Sequence, residues 1–137
     1  MCCEDQIGGS MSVTTILLTL LAFQVKHVIC DFVIQTRFQV DNKGYYGRSG
    51  GLIHAGWHIL FSIPVLLIMT RSPSLIGLTL ALEFLIHYHT DWLKARTQRE
   101  RGWTQNDSIY WVAFGADQFI HQVTYLAMVA LVLRLGA

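Results

Sequence analysis

Four apolar runs organise the chain, at residues 12–33, 52–70, 73–93 and 110–135. A helix needs about 20 residues to cross the hydrocarbon core of a bilayer, so each run predicts a spanning helix, the second short and the last long enough to tilt. Polar residues interrupt these runs at helical spacing. His27/Asp31, His54/His58, His87/Asp91 and Asp117/His121 each stand four apart, and residues four apart share one helix face. Every predicted helix therefore offers two groups able to ligate a metal or carry a proton in one direction. Only Arg71, Ser72 and Pro73 separate the second run from the third, which predicts a tight hairpin with proline in the first turn of the next helix. The other two connections, 35–51 and 94–107, are longer and polar.

The pattern predicts an all-α polytopic membrane protein, a four-transmembrane-helix up-down bundle over residues 12–137. Residues 1–11 form an N-terminal extension with neither the basic region nor the cleavage site of a signal peptide. Composition agrees: 53% of the 137 residues are hydrophobic and 14% charged, too apolar for an ordinary soluble domain of this size. A net charge of +1 leaves no basic excess for phosphate neutralisation and excludes nucleic acid as a partner. The two long connections carry seven Lys or Arg (Arg37, Lys43, Arg48, Lys94, Arg96, Arg99, Arg101) against Arg71 and Arg134 on the other side. The positive-inside rule then places both connections in the cytoplasm and both termini outside. Trp57, Trp92, Trp103, Tyr110 and Trp111 suit an interfacial belt. Cys2, Cys3 and Cys30 form neither a disulfide framework nor a metal knuckle.

With that topology the four pairs meet at one level, toward the cytoplasmic face. Imidazole and carboxylate together suit zinc first, with iron or manganese as alternatives, and inward ligands from four helices are a known way to build a metal site in a bundle core. Eight donors, His27, Asp31, His54, His58, His87, Asp91, Asp117 and His121, exceed the needs of one ion; they suit two ions, or one ion with the remainder orienting ligands and carrying protons. Asp31, Asp91 and Asp117 are the candidate catalytic residues, because a buried carboxylate costs about 2.5–3.5 kcal/mol to insert into a membrane and is kept for function. Gln35, Lys43, Lys94 and Gln118 are the candidate substrate or outer-shell residues, and Gln24 and Gln122 extend the same stripes. The competing reading is an interhelical hydrogen-bond network, each contact contributing about 1 kcal/mol. His89 lies two residues from both His87 and Asp91 and points off their face. Glu83 sits deeper than the pairs, and Lys26 is expected to snorkel toward water or pair with an acid. Gly51, Ala55, Gly56 and Ser62 offer a small-residue face for close helix contact. No phosphate-binding loop, nucleophile elbow or HExxH motif is present.

The strings His27-x-x-x-Asp31-Phe32-x-x-Gln35, Asn42-Lys43, His54-x-x-x-His58, His87-x-x-x-Asp91-x-x-Lys94 and Asp117-Gln118-x-x-His121 resemble the signature of a bacterial family of small multi-pass membrane proteins, the domain of unknown function 3307. The resemblance covers nearly the whole chain from about Met11. It implies a helical protein of the bacterial inner membrane with these polar positions as its hallmark, and it assigns no activity. The residues themselves favour a metal-dependent hydrolase acting from the cytoplasmic leaflet on a lipid or phosphorylated amphiphile, with Arg37, Lys43, Arg48, Lys94 and Arg96 ringing its mouth. The alternatives are a metal-ion or small-solute transporter or channel subunit, which needs a homo-oligomer to enclose a path, and a non-catalytic membrane scaffold.

Overall fold

The computed structural model describes residues 11–136; most of the N-terminal extension, with Cys2 and Cys3, lies outside the described residues. The chain is all-helical. Helix α1 (Val13–Val28) continues into a π-helical turn (Ile29–Val33), followed by a short α2 (Arg37–Asn42) and three long helices, α3 (Ser49–Met69), α4 (Pro73–Arg101) and α5 (Ser108–Leu135). Helix α1 packs on α3 and α5, and α4 packs on the same two, so the four long helices close a cycle.

Local chemistry explains most boundaries. The Ser12 side chain accepts from the Thr15 amide to start α1, and Ser72 accepts from Leu75 to start α4, with Pro73 in the first turn as the hairpin required. Helix α4 does not stop at residue 93. It runs to Arg101 and ends at Gly102, whose φ of 67° is the left-handed conformation that glycine adopts without strain. Lys94, Arg96, Arg99 and Arg101 are therefore helical, and the connection shrinks to a few residues. The other connection is also structured, because Thr36 and Gln39 form a reciprocal capping box that starts α2. Gly50 lets α2 lie directly on α3: a Cβ there would stand 2.8 Å from the Phe38 carbonyl oxygen and 2.6 Å from the Asn42 Cβ.

Three helical segments, Val13–Val33, Ser49–Met69 and Ser108–Leu135, are long and apolar enough to cross a membrane. Helix α4, expected as a fourth span, is not among them, because Glu83, His87, His89 and Asp91 dilute its apolar middle. Its outward face nevertheless carries exposed Leu78, Leu82, Leu85 and Leu93. Burial is inverted relative to a water-soluble domain. Among the described residues fifteen buried side chains are polar or charged and eleven are apolar, while exposed Leu17, Leu21, Val25, Leu60, Phe119 and Leu126 face outward. Eight of the apolar side chains, Phe23, Val65, Leu66, Leu75, Tyr125, Met128, Val129 and Val132, cluster at one end of the interior. The small-residue face of α3 is used within the chain: Ala55 and Ser62 are buried, and Gly51 lies against Tyr88, whereas Gly56 has no close neighbour.

Candidate metal centre

At the other end of the interior the four pairs meet, and their side chains are buried. Asp31 stands in the π-helical turn, closed by the Ile34 amide on the Ile29 carbonyl. Such a turn inserts an extra residue per turn and is frequent at functional sites. Its Oδ1 lies 2.8 Å from His58 Nε2 and 3.2 Å from His54 Nε2. His54 Nε2 is also 3.0 Å from Asp91 Oδ2, 3.2 Å from His87 Nε2 and 3.3 Å from Gln35 Nε2. Four polar atoms thus crowd one ring nitrogen. A neutral imidazole nitrogen has one hydrogen or one lone pair, so hydrogen bonding satisfies at most one or two of them. A tetrahedral ion with N and O ligands at about 2.0–2.2 Å sets those ligands roughly 3.3–3.6 Å apart, close to the spacing of these atoms.

Two sets of donors are geometrically able to hold an ion. In Asp31, His54, His58 and His87 the donor atoms lie within 4.8 Å of one another, and so do those of His87, Asp91 and His121. The His87 and His121 rings stack with centroids 4.1 Å apart, and the His58 ring lies tilted against His87 at 3.8 Å. Asp117 joins the second set, since His121 Nε2 is 3.6 Å from both Asp91 Oδ1 and Asp117 Oδ1. Those three atoms are all buried without a hydrogen-bond partner. Orphaned buried carboxylate oxygens are costly, and two of them facing one orphaned imidazole nitrogen fit a cation.

The remaining polar groups orient this layer. His27 sits beside the two sets, with Nδ1 3.0 Å from the Tyr125 hydroxyl and Nε2 2.9 Å from Gln118 Oε1. The Gln118 amide donates to Asp31 at 3.3 Å and to Asp117 at 3.1 Å, bridging the two halves of the layer. Lys43, placed by the C-terminus of α2, donates to Asp91 Oδ2 at 3.2 Å, and Lys94 donates to Asp117 Oδ2 at 2.8 Å. Both lysines were expected in a mouth ring; each instead turns inward as a counter-ion, while Arg37, Arg48 and Arg96 stay exposed. Lys26 does not snorkel. It is buried, pairs with Glu83, and its Nζ lies 3.2 Å from His58 Nδ1. Tyr125 was not anticipated at all, because a lone tyrosine in an apolar run carries no spacing signal. Gln24 points outward, away from the layer, and His89 is exposed and meets Tyr46, off the shared face. Cys30 is buried and unpaired.

A family model described as "Protein of unknown function (DUF3307)" matches residues 16–136. No curated protein and no solved structure matches the chain.

Proposed function

The chain belongs to the DUF3307 family, whose description names no activity, and we propose that it is an integral membrane metalloprotein working as a hydrolase. In this reading α1, α3, α4 and α5 form a four-transmembrane-helix up-down bundle in a bacterial inner membrane, with both termini outside. The observation that carries the metal is the polar layer itself: more donor atoms converge than their hydrogens can satisfy, on side chains from all four long helices. Asp31, His54, His58 and His87 hold one ion. His87 presents one nitrogen lone pair and serves one ion at a time, so Asp91, Asp117 and His121 hold a second. Zinc suits this donor set best, and iron and manganese use the same ligands. When bound, such an ion supplies Lewis acidity and brings the pKa of a coordinated water toward neutrality.

The chain's own residues do the rest. Among the three acids Asp31 is the one that no lysine holds; its Oδ2, 3.3 Å from His27 Nε2, is the proton carrier. Lys43 and Lys94 hold the second oxygens of Asp91 and Asp117 and present positive charge to an anionic substrate. The substrate class is a lipid or phosphorylated amphiphile approached from the cytoplasmic leaflet. Five exposed arginines at the layer's end of the bundle, Arg37, Arg48, Arg96, Arg99 and Arg101, support that orientation even with Lys43 and Lys94 turned inward. A transport path has less support, because the apolar cluster around Phe23, Leu66 and Tyr125 fills the interior beyond the layer.

Elemental analysis of the full chain, purified and then reconstituted with zinc, manganese or iron, tests the reading. One or two equivalents of a transition metal are expected. Less than about 0.2 equivalents of every metal after reconstitution leaves only an interhelical scaffold, because the deprotonated ligands of an intact site bind metal outright. A cysteine at Arg101 that labels only from outside the cell reverses the topology.

A further inference from the structure

A groove of about 340 Å³ runs between α4 and α5, walled by Leu93, Ala113, Ala116 and Ile120 and ending on Lys94 and Asp117. Its two ends differ in chemistry. Leu93 and Ile120 at the rim are 58% and 42% exposed, beside the fully lipid-type surface of Val112 and Phe119. Asp117 is buried, with Oδ1 unpartnered and turned into the layer. The groove is therefore an apolar slot that opens sideways, where lipid would lie, and stops at a charged floor. Its volume is at the small end of ligand sites, about 300–1,000 Å³, and Ala116 on the α5 wall is itself exposed, so the slot is open to the outside.

The floor selects the head of whatever occupies the slot. Asp91 and Asp117 face the ammonium groups of Lys43 and Lys94, Asp31 adds a carboxylate held by imidazoles and the Gln118 amide, and Lys26 and Glu83 neutralise each other. Three carboxylates against two ammonium groups leave one excess negative charge, and a single divalent ion reverses it. The loaded layer is cationic, in a region where low dielectric strengthens attraction for an anion. We propose that this groove is a lateral entry site for a single-chain amphiphile bearing a phosphate, its chain lying against Ala113 and Ala116 and its head on Lys94 at the metal layer. The proposal rests on the metal centre for the sign of the floor's charge; the slot itself stands on the packing of α4 and α5.

The test is binding of radiolabelled dodecyl phosphate to the zinc-reconstituted full chain in phosphatidylcholine nanodiscs, with dodecanol and inorganic phosphate as competitors. Dodecyl phosphate is expected to bind saturably and to compete at least about tenfold better than either fragment, because only it engages both ends of the slot. Ala116→Trp, which fills the slot, should weaken binding at least about tenfold with zinc stoichiometry unchanged. Ala113→Leu narrows the same wall and serves if Ala116→Trp does not fold; Leu18→Trp, on the outward face of α1, should bind like the parent. Lys94→Gln should erase the preference for dodecyl phosphate over dodecanol. Parent-like binding by both filling variants, or inorganic phosphate competing as well as dodecyl phosphate, overturns the proposal. Groove-dependent binding by a chain that takes up no metal keeps the groove and retires the metal centre, whereas zinc uptake without groove-dependent binding does the reverse.

Discussion

The two ends of the bundle are built from the same four helices on opposite principles. At one end Phe23, Val65, Leu66, Leu75, Met128, Val129 and Val132 interlock, and Phe23 stacks on Tyr125 with ring centroids 5.1 Å apart. At the other, His and Asp side chains from every long helix fill the same interior. In the proposed bilayer setting apolar packing gains little from exclusion of water, so the first end rests on shape complementarity and dispersion. The second end carries buried charges whose desolvation their mutual attraction only partly offsets. A chain selected for stability alone would extend the first end. Keeping the second is the mark of a function, and it makes the two ends separable by substitution.

The largest expected effect is on metal. Asp31→Asn keeps the volume and some hydrogen bonds but removes a ligand charge, so metal affinity should fall by more than about 100-fold, beyond the usual cost of losing an outer-shell partner. The melting temperature should hold or rise, while His89→Ala, off the shared face, should leave both unchanged. Retained metal with a collapsed melting temperature would make the polar end a scaffold and erase the contrast between the two ends. Next is the border between them. Lys26→Met strands the Glu83 carboxylate, buried at 1% exposure, and should cost about 3–5 kcal/mol of stability, with most of it recovered in the Lys26→Met/Glu83→Leu pair. An additive double variant, measured by denaturant unfolding in detergent, would mean that the two groups do not act as a pair.

Leu66→Ala probes the apolar end. It opens a cavity at a fully buried position and should cost about 2–5 kcal/mol, with metal stoichiometry untouched. Metal loss in this variant would show the ends to be one cooperative unit. The smallest effect lies outside both, in the turn before α5. There the Thr104 amide donates to Asp107 Oδ2 at 2.7 Å and holds the carboxyl below its ordinary value of 3.8. A depressed folded value means the bond contributes above the unfolded pKa and is lost as pH falls through the folded one, below 3.8. The protection of the Thr104 amide, its exchange rate relative to an unstructured chain at the same pH, should therefore fall on acidification in the parent and stay flat in Asp107→Asn; flat protection in the parent would show the turn to be held by backbone bonds alone.

The sequence by itself determined that the protein is helical, that apolar stretches long enough to cross a bilayer recur along it, and that three His/Asp pairs and one His/His pair each share a helix face. Those properties are local: hydropathy runs, spacing of four, Ser72-Pro73 at a hairpin. Only the tertiary structure decided which members of the pairs face each other. His27 and Asp31 read alike in sequence, but Tyr125 and Gln118 occupy both nitrogens of His27 while the π-helical turn carries Asp31 to His54 and His58. The sequence likewise left Lys26 between water and an acid, and Lys43 and Lys94 between the mouth and the outer shell of the site; each turned inward because a carboxylate on another helix lay within reach. Helical periodicity fixes the face on which a residue lies, since it depends on the residue's own turn of chain. The partner across the interface depends on how separate helices rotate and slide against one another, and no single helix encodes that.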